Sequence, residues 1–250
     1  MKKILAFIVF LLFLVLAWYS WGWYKTTVVC CEQSEILIYD CKTNKVSTNS
    51  KWPDVQKGIL AKRKPNKKLL ITSPVFTGEN NEIGIVRAKN VANLFSEDVK
   101  SNNIVFASHP STDCETTKSN YLHETKFKWV TRNDDIVEHF NHVIINYKFD
   151  STEEINKEQF VSYFKELSTF LIESGDKIEI TGHTDSDGTD EYNMELGLER
   201  AKEVQQHLLD NNVPQSQISV FSKGKSEPAT TNTTPEGRQK NRRVIIHIIE

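Results

Sequence analysis

The sequence lacks an excess of basic charge, and after position 24 it lacks any long apolar run. Its 31 Lys and Arg residues are balanced by 33 Asp and Glu residues, for a net charge of −2. Without a basic surface to hold a phosphate backbone, we expect no nucleic-acid partner. Apolar residues make up 20 of the first 24 positions and only about a third of the later ones. The chain is therefore not expected to cross a membrane several times.

Familiar catalytic signatures are also missing. There is no serine-elbow motif, no H-E-x-x-H metal motif and no cysteine after residue 114. Lone histidines such as His207 and His247 fit a solvated helix position and a strand position better than a ligand set. We therefore predict that the protein is not an enzyme and requires no cofactor.

Cysteine is scarce, and every cysteine precedes position 115. The four residues are Cys30, Cys31, Cys41 and Cys114. An even number in an oxidising compartment permits disulfides, with three possible connectivities that the sequence does not separate. A zinc site is a weaker alternative, because the spacing does not give two C-x-x-C pairs and His109 and His123 lie in polar sequence.

One long apolar segment stands at the beginning of the chain. Residues 4–23 carry no charge, and a helix of about 20 residues at 1.5 Å each spans the roughly 30 Å of a bilayer's hydrocarbon core. Lys2 and Lys3 precede the segment, and the positive-inside bias keeps them in the cytoplasm. Residues 1–25 are thus predicted to be a single-pass transmembrane anchor, with the rest of the chain across the membrane.

Two alternatives to a retained anchor stay open. A cleaved signal peptide needs small residues at its cleavage site, whereas this segment ends in bulky rings typical of an interfacial aromatic belt. Those rings are Trp18, Tyr19, Trp21, Trp23 and Tyr24. A lipoprotein signal would use Cys30 or Cys31, but Val28 and Val29 before them fit such a signal poorly. Because the segment has no ionisable residue, a role in a proton-driven motor is not expected.

Hydrophobic periodicity predicts alternating strands and helices in the second half of the chain. Strands are expected at 142–149, 177–181, 218–221 and 243–249, and amphipathic helices at about 160–171 and 196–209. Thr234 and Pro235 form a good helix start, a cap followed by a proline at the first helical position. The resulting order is β-α-β-α-β-(short α)-β, an α+β fold.

The first half repeats this order weakly. KLLIT at 68–72 matches KIEIT at 177–181, and IGIVRAK at 83–89 matches LGLERAK at 196–202. The offset grows from 109 to 113 between these matches, which predicts a strand-to-helix loop four residues shorter in the first copy. Further strands are expected at 36–39, 103–106 and 127–130, and a helix from Val55. The pattern therefore predicts two tandem domains, 31–132 and 141–250, joined at about 133–141.

The second copy contains a motif that identifies a family. T-G-H-T-D-x-x-G-x-x-x-Y-N-x-x-L-x-x-x-R-A begins at Thr181, G-x-x-x-P follows at 224–228, and T-x-x-G-R-x-x-N-R-R-V runs from Thr234 to Val244. These elements resemble the OmpA-like peptidoglycan-binding domain. The resemblance implies a β-α-β-α-β-β fold that binds diaminopimelate in the peptide stem of peptidoglycan, without covalent chemistry. Together with the repeat, it predicts two tandem OmpA-like domains after a single N-terminal transmembrane helix.

The chemistry of diaminopimelate suggests which residues bind it. Its free end is an amino acid zwitterion, so a receptor needs a carboxylate for the ammonium and a guanidinium for the carboxylate. Asp185 and Arg200 are predicted to fill these roles. The resemblance implies the same two positions and adds further residues lining the site: Thr184, Asn193, Leu196 and Arg242. It leaves Asn241 and Arg243 as structural partners of the loop or sheet.

Two features limit this interpretation. The acidic loop from Asp185 to Glu191 resembles a calcium loop in composition, but it lacks the aspartate spacing and the acidic twelfth residue of an EF-hand. In the first copy Phe76 aligns with Asp185, although Arg87 persists at the place of Arg200. Since an arginine alone cannot satisfy a zwitterion, this copy is expected to be degenerate and not to bind diaminopimelate.

These features predict a non-enzymatic tether between the cell-envelope membrane and peptidoglycan. Its domains would lie in the periplasm, with the anchor in the inner rather than the outer membrane. The alternative is an adaptor subunit of an envelope-spanning machine such as a secretion apparatus, in which wall binding only fixes position. In that case residues 31–132 would contact envelope protein partners.

Overall fold

The computed structural model describes residues 36–115, 121–148 and 158–249, together with Val15, Leu16 and Trp18. Apart from these three residues, the predicted anchor at 1–25 lies outside the described residues, as do Cys30 and Cys31. Within the described part of the chain, no helix combines the length and the apolar character needed to cross a bilayer. The chain divides into two compact units, one ending at Trp129 and the other beginning at Val130.

Among residues 36–115 and 121–130, the structure describes five strands and three α-helices of the first unit. The strands are β1 (Leu37–Tyr39), β2 (Val46–Thr48), β3 (Lys68–Val75), β4 (Ile104–Pro110) and β5 (Lys126–Val130), whose last residue opens the second unit. The helices are α1 (Trp52–Ala61), α2 (Asn81–Ala92) and α3 (Tyr121–Glu124). Pro53 lies in the first turn of α1, where its missing N–H costs nothing, and Asn80 caps α2 by accepting from the Glu82 amide.

A three-stranded sheet of order β4-β3-β5 forms the middle of the first unit. β3 and β4 are parallel and are connected through α2. β3 is almost wholly buried from Leu69 to Val75, as expected for a central strand covered on both faces. Its side chains join Trp52 and Phe95 in one hydrophobic core. β1 and β2 form a separate antiparallel pair.

The second unit is built around a mixed sheet, with five strands and three α-helices among residues 130–148 and 158–249. The strands are β6 (Ile136–Glu138), β7 (His142–Asn146), β8 (Lys177–His183), β9 (Ile218–Gly224) and β10 (Arg243–Ile249). The helices are α4 (Glu158–Ser174), α5 (Asp190–Asp210) and α6 (Pro235–Asn241). The sheet order is β6-β7-β10-β8-β9, with only β8 and β9 parallel.

Helices α4 and α5 cover one face of this sheet. Alternate residues of the central strands, such as Ile178 and Ile180 of β8, point into the core and meet Phe164 and Leu171 of α4. The helical face of α5 contributes Ala201, Val204 and Leu208, all fully buried. The core thus fixes α5 over the strand that leads into it.

Each strand and helix predicted from periodicity lies close to its expected position, and three details differ. The predicted junction at 133–141 contains β6, which pairs with β7 as the edge of the second sheet. The strand predicted at 36–39 pairs with β2 instead of joining the larger sheet of the first unit. β2 itself was not predicted, because three residues are too few to show a period.

The four-residue difference between the copies lies in a helix and not in the preceding loop. Two residues of α2 precede Ile83, whereas six residues of α5 precede the aligned Leu196. The difference of four is about one helical turn. The prediction of a shorter loop is therefore wrong: the first unit lacks the first turn of the helix, the turn that carries Tyr192 and Asn193 in the second unit.

One of the possible disulfides is present in the first unit. Cys41 and Cys114 are bonded, with their Cα atoms 5.8 Å apart and a sequence separation of 73. The bond joins the turn after β1 to the segment after β4. It thereby links the small hairpin to the end of a strand in the larger sheet.

Candidate functional site

The site is built where β8 runs into α5, and two glycines allow these elements to touch. A Cβ placed on Gly182 would lie 1.8 Å from the carbonyl oxygen of Gly197, far inside van der Waals contact. No other residue at position 182 leaves the helix at this distance. The close approach brings the beginning of α5 directly beside the loop 184–189 that follows β8.

Asn193 and the helix cap hold this loop in shape. The Asn193 side-chain amide donates to the carbonyl oxygens of Asp187 at 2.8 Å and Thr189 at 2.9 Å. The Thr189 hydroxyl caps α5 by accepting from the Tyr192 amide at 3.2 Å. Gly188 occupies the left-handed region with φ of 92°, which a residue with a side chain adopts only with strain. Asn193 is thus a buried organiser of the loop.

Asp185 is paired with Arg242, which comes from the end of α6. Arg242 Nη1 donates to Asp185 Oδ2 at 2.7 Å, and the two side chains are only 10% and 5% exposed. The Asp187 amide donates to the other carboxylate oxygen at 3.2 Å. A second nitrogen of Arg242 donates to Gln239. A carboxylate has about four acceptor positions, so Asp185 retains capacity for a further donor.

Arg200 lies beneath the loop and is fully buried. Its guanidinium carbon is 5.0 Å from the ring centroid of Tyr147, the residue that follows β7. Burial, together with the neighbouring charge of Arg242, lowers the pKa of Arg200 from its ordinary value, while the hydroxyl group of Tyr147 and the carboxylate of Asp185 act in the opposite direction. Even a lowered pKa leaves this guanidinium charged at neutral pH, because arginine starts above 12.

All six residues predicted for the site line one pocket of about 220 Å³. The complete lining is Thr184, Asp185, Asp187, Gly188, Tyr192, Asn193, Leu196, Arg200 and Arg242. Asp187, Gly188 and Tyr192 were not predicted as site residues, although Gly188 and Tyr192 belong to the family motif. The lining contains two carboxylates and two guanidinium groups. Such a balanced pocket suits a ligand end that carries both an ammonium and a carboxylate.

The predicted structural roles of Asn241 and Arg243 are confirmed. The Asn241 side chain donates to the Thr230 carbonyl at 2.9 Å and accepts from the Thr230 amide at 3.0 Å, which fixes the loop after β9. Arg243 donates to the carbonyl oxygens of Glu227 at 3.1 Å and Asn241 at 3.3 Å. Both residues hold the chain around α6, so they position Arg242 without lining the pocket.

The corresponding place in the first unit is occupied by the chain itself. Arg87 is buried, and its guanidinium makes two hydrogen bonds of 2.6 Å to the two carboxylate oxygens of Glu79. It lies 4.2 Å from the ring centroid of Phe76, the residue aligned with Asp185. It also lies 5.2 Å from the ring of Tyr39 at the end of β1, as Arg200 does from Tyr147. The Arg–Tyr contact therefore recurs in both units.

No group of three or more His, Cys, Asp or Glu side chains is arranged to hold a metal ion among residues 36–115, 121–148 and 158–249. The two carboxylates at the ends of this acidic loop instead pair with basic side chains. Asp185 meets Arg242, and Asp190 pairs with Lys225 at 2.9 Å.

Comparison with known proteins identifies the domain that contains this site. Residues 149–242 match the model of the OmpA family. The chain therefore carries an OmpA-family domain over this range, and the resemblance predicted from the motif is confirmed there.

Several curated relatives align with part of the chain. The outer membrane porin F of Pseudomonas fluorescens is 37% identical over 103 residues, which cover 41% of this chain and 32% of the porin. The peptidoglycan-associated lipoprotein of Pseudomonas aeruginosa is 44% identical over 71 residues, which cover 28% of this chain and 42% of the lipoprotein. The matched part thus spans about a third to two fifths of these relatives, and neither of them is named as an enzyme.

A solved structure with similarity is the peptidoglycan-associated lipoprotein from Burkholderia pseudomallei. It is 28% identical with a TM-score of 0.40, and the match covers 42% of this chain and 88% of that one.

Proposed function

We propose that residues 141–250 tether the cell-envelope membrane to peptidoglycan by binding diaminopimelate of the peptide stem without covalent chemistry. The observation that carries this proposal is the pocket beside α5, where Asp185 and Arg200 face one cavity of about 220 Å³. Asp185 would receive the ligand's ammonium, and Arg200 would hold its carboxylate. The names of relatives, among them peptidoglycan-associated lipoproteins and a peptidoglycan-binding protein of Mycobacterium tuberculosis, support peptidoglycan as the binding partner.

The geometry suggests how binding would rearrange the site. Asp185 is already bonded to Arg242, so a ligand ammonium would share the carboxylate with Arg242. The ligand carboxylate would neutralise the positive charge of Arg200. Because these groups are desolvated, removing one of them should cost about 2 to 5 kcal/mol of binding energy. No bond is made or broken in this scheme, which is the reason for proposing a binding protein and not an enzyme.

The proposal is tested by co-sedimentation of the detergent-solubilised full chain with purified peptidoglycan. We expect retention on a diaminopimelate-type wall and release by free diaminopimelate. A lysine-type wall lacks the second carboxylate and should retain little protein. Asp185→Asn should weaken retention at least about thirty-fold, which corresponds to about 2 kcal/mol. Asp190→Asn, on the same loop but outside the pocket lining, is the matched control. Equal retention on both walls would exclude the zwitterion site as the tether.

The first unit is proposed to be a degenerate copy of the same domain, spanning residues 31–132. The β3-α2-β4 order with parallel strands, and the Arg87–Tyr39 contact that mirrors Arg200–Tyr147, support this relationship. Phe76 and Glu79 surround Arg87 in this copy. The Arg87 guanidinium therefore has no place for the carboxylate of a ligand. Deletion of the first unit should therefore leave diaminopimelate binding by the second unit unchanged.

The location and partners form part of the proposal. The first 25 residues would anchor the chain in the inner membrane with its N-terminus in the cytoplasm, and both units would lie in the periplasm. Residues 31–132 would be free to contact envelope proteins, as in an adaptor of an envelope-spanning machine. Chemical cross-linking in cells separates the two roles. A stable complex lost with the first unit would favour the adaptor, and its absence would favour a plain tether.

A further inference from the structure

The loop after β8 places a second carboxylate, that of Asp187, in the lining of the pocket beside α5. Two hydrogen bonds to other pocket residues fix its main chain. The Asp187 amide donates to Asp185 Oδ1 at 3.2 Å, and the Asp187 carbonyl oxygen accepts from the Asn193 side chain at 2.8 Å. The Asp187 side chain, in contrast, is exposed. The loop therefore holds this residue in place through its backbone and leaves the carboxylate accessible.

The two carboxylates of the pocket differ in their partners. Asp185 is buried and pairs with Arg242 at 2.7 Å. Among the residues that the structure describes, the Asp187 carboxylate forms no ion pair and accepts no hydrogen bond. Lys225 reaches the same loop, but its ammonium pairs with Asp190 at 2.9 Å. Within the described part of the chain, Asp187 is thus the pocket carboxylate that no cation contacts.

We propose that Asp187 binds the ammonium of the diaminopimelate end together with Asp185, and so makes the pocket selective for a zwitterion over a plain carboxylate. This role rests on the proposed function and names the part of the ligand that the loop recognises. An ammonium carries three donors, so it can bond to one oxygen of each carboxylate. Because Asp185 already faces the positive charge of Arg242, it attracts a second cation less than a lone carboxylate does. Asp187 supplies the further negative charge.

The charges of the pocket and of the ligand end then match. The pair of Asp185 and Arg242 is neutral as a unit, so Arg200 and Asp187 add one positive and one negative charge to the lining. These correspond to the carboxylate and the ammonium of the ligand. Arg200 is fully buried, whereas Asp187 is exposed. The contribution of Asp187 should therefore be that of an exposed ion pair, which salt screens.

Two capped ligands separate the effect of the ammonium from that of the carboxylate. In capped diaminopimelate one end is acetylated and amidated, so the other end is the only zwitterion. Capped 2-aminopimelate is the same molecule with a hydrogen in place of the free-end amine. Isothermal titration calorimetry of the full chain in non-ionic detergent gives the Kd of each ligand for wild type, Asp187→Asn and Glu191→Gln. Glu191 is exposed in the first turn of α5, outside the pocket lining, so its variant is a control that removes the same charge.

We expect Asp187→Asn to raise the Kd of capped diaminopimelate about three- to five-fold, the range of an exposed ion pair, and not to raise that of capped 2-aminopimelate. The effect should shrink as the salt concentration rises from about 0.05 M to 0.5 M, and Glu191→Gln should bind both ligands as wild type does. An equal rise for both ligands, or no rise for either, would overturn the role of Asp187 and leave the pocket as a diaminopimelate site. Failure of the wild type to bind capped diaminopimelate would instead overturn the proposed function, and this role with it.

Discussion

Arg242 and Asp185 form an ion pair of 2.7 Å although 57 positions separate them in sequence. Both side chains are at least nine-tenths buried. In such surroundings each charge depends on the other, because the desolvation already incurred is compensated only by a partner. The pair therefore joins α6 to the loop before α5 and also shapes the ligand pocket.

Removing Arg242 should destabilise the second unit as well as empty part of the site. Arg242→Gln leaves the Asp185 carboxylate buried without its cation, and the free energy of unfolding should fall by about 3 to 5 kcal/mol. Urea denaturation followed by circular dichroism measures the change. The matched control is Lys225→Gln, which breaks the exposed pair to Asp190 and should cost at most about 1 kcal/mol. Equal losses in both variants would contradict a special role for the buried pair.

The contact between Gly182 and Gly197 yields a second prediction. Gly182→Ala forces β8 and α5 apart, since the added carbon would lie 1.8 Å from a carbonyl oxygen. Overpacking of this kind costs about 1 to 3 kcal/mol or more, and the displaced helix should also lose its hold on peptidoglycan. Thermal unfolding and wall co-sedimentation of the same sample measure both effects.

Gly58 offers the opposite expectation for the same substitution. It lies inside α1, and no atom within 4 Å obstructs a Cβ there. Gly58→Ala should raise the free energy of unfolding by about 0.5 to 1 kcal/mol, because alanine favours helix over glycine. A loss of stability at position 58 similar to that at position 182 would show that close packing is not what distinguishes the two glycines.

Periodicity predicts most of this fold because both halves have buried central strands and amphipathic helices. The main failures are short strands. β2 and β6 have three residues each, and each is defined by its pairing with the neighbouring strand in the chain and not by a hydrophobic pattern of its own. Four cysteines likewise allow several pairings, and only the folded arrangement brings Cys41 close to Cys114.

In the candidate site, too, the local sequence predicts some features, and others depend on contacts that only the folded chain forms. The family motif locates all six predicted pocket residues, including Arg242. It does not reveal that Arg242, rather than Arg200, is the ionic partner of Asp185. That pairing depends on the course of α6, which no spacing within the motif specifies. Similarly, alignment of Arg87 with Arg200 gives no sign of Glu79, whose carboxylate reaches Arg87 from the loop before α2.

The Glu79–Arg87 pair makes the stability of the first unit sensitive to acid. Hydrogen bonds from Arg87 hold the pKa of Glu79 below its ordinary value of 4.5. As the pH falls, the Glu79 carboxyl takes up its proton at a higher pH in the unfolded chain than in the folded one. The pair's contribution to the free energy of unfolding is therefore complete above about pH 4.5, and it is lost as the pH falls through the lower pKa of the folded state. Hydrogen exchange of β3 amides, measured from pH 7 to pH 3, follows this loss.

Glu79→Gln identifies the part of the acid response that belongs to this pair. At neutral pH the variant should exchange its β3 amides faster than wild type, by an amount equivalent to about 2 to 3 kcal/mol. The difference should shrink below about pH 4.5, where the wild-type carboxyl is also neutralised. Glu82→Gln, on the exposed first turn of α2, should match wild type throughout. A difference that persists unchanged at pH 3 would contradict this account.

His183 gives the second unit a separate response at higher pH. Its ring is buried at the end of β8, and burial together with the charge of Arg243 lowers its pKa from 6.5 to about 4. The unfolded state therefore binds more protons than the folded state between about pH 6.5 and pH 4, and stability must fall as the pH decreases across that interval. For one such group the loss approaches about 2 kcal/mol near pH 4.5.

His183→Gln should remove this loss, so the stability of the variant relative to wild type should rise by the same amount between pH 7 and pH 4.5. Urea unfolding of both proteins at the two pH values measures it, with His247→Gln on the exposed end of β10 as the matched control. If the wild type and His183→Gln lose stability in parallel, the imidazole of His183 is not an acid-sensitive group of this unit.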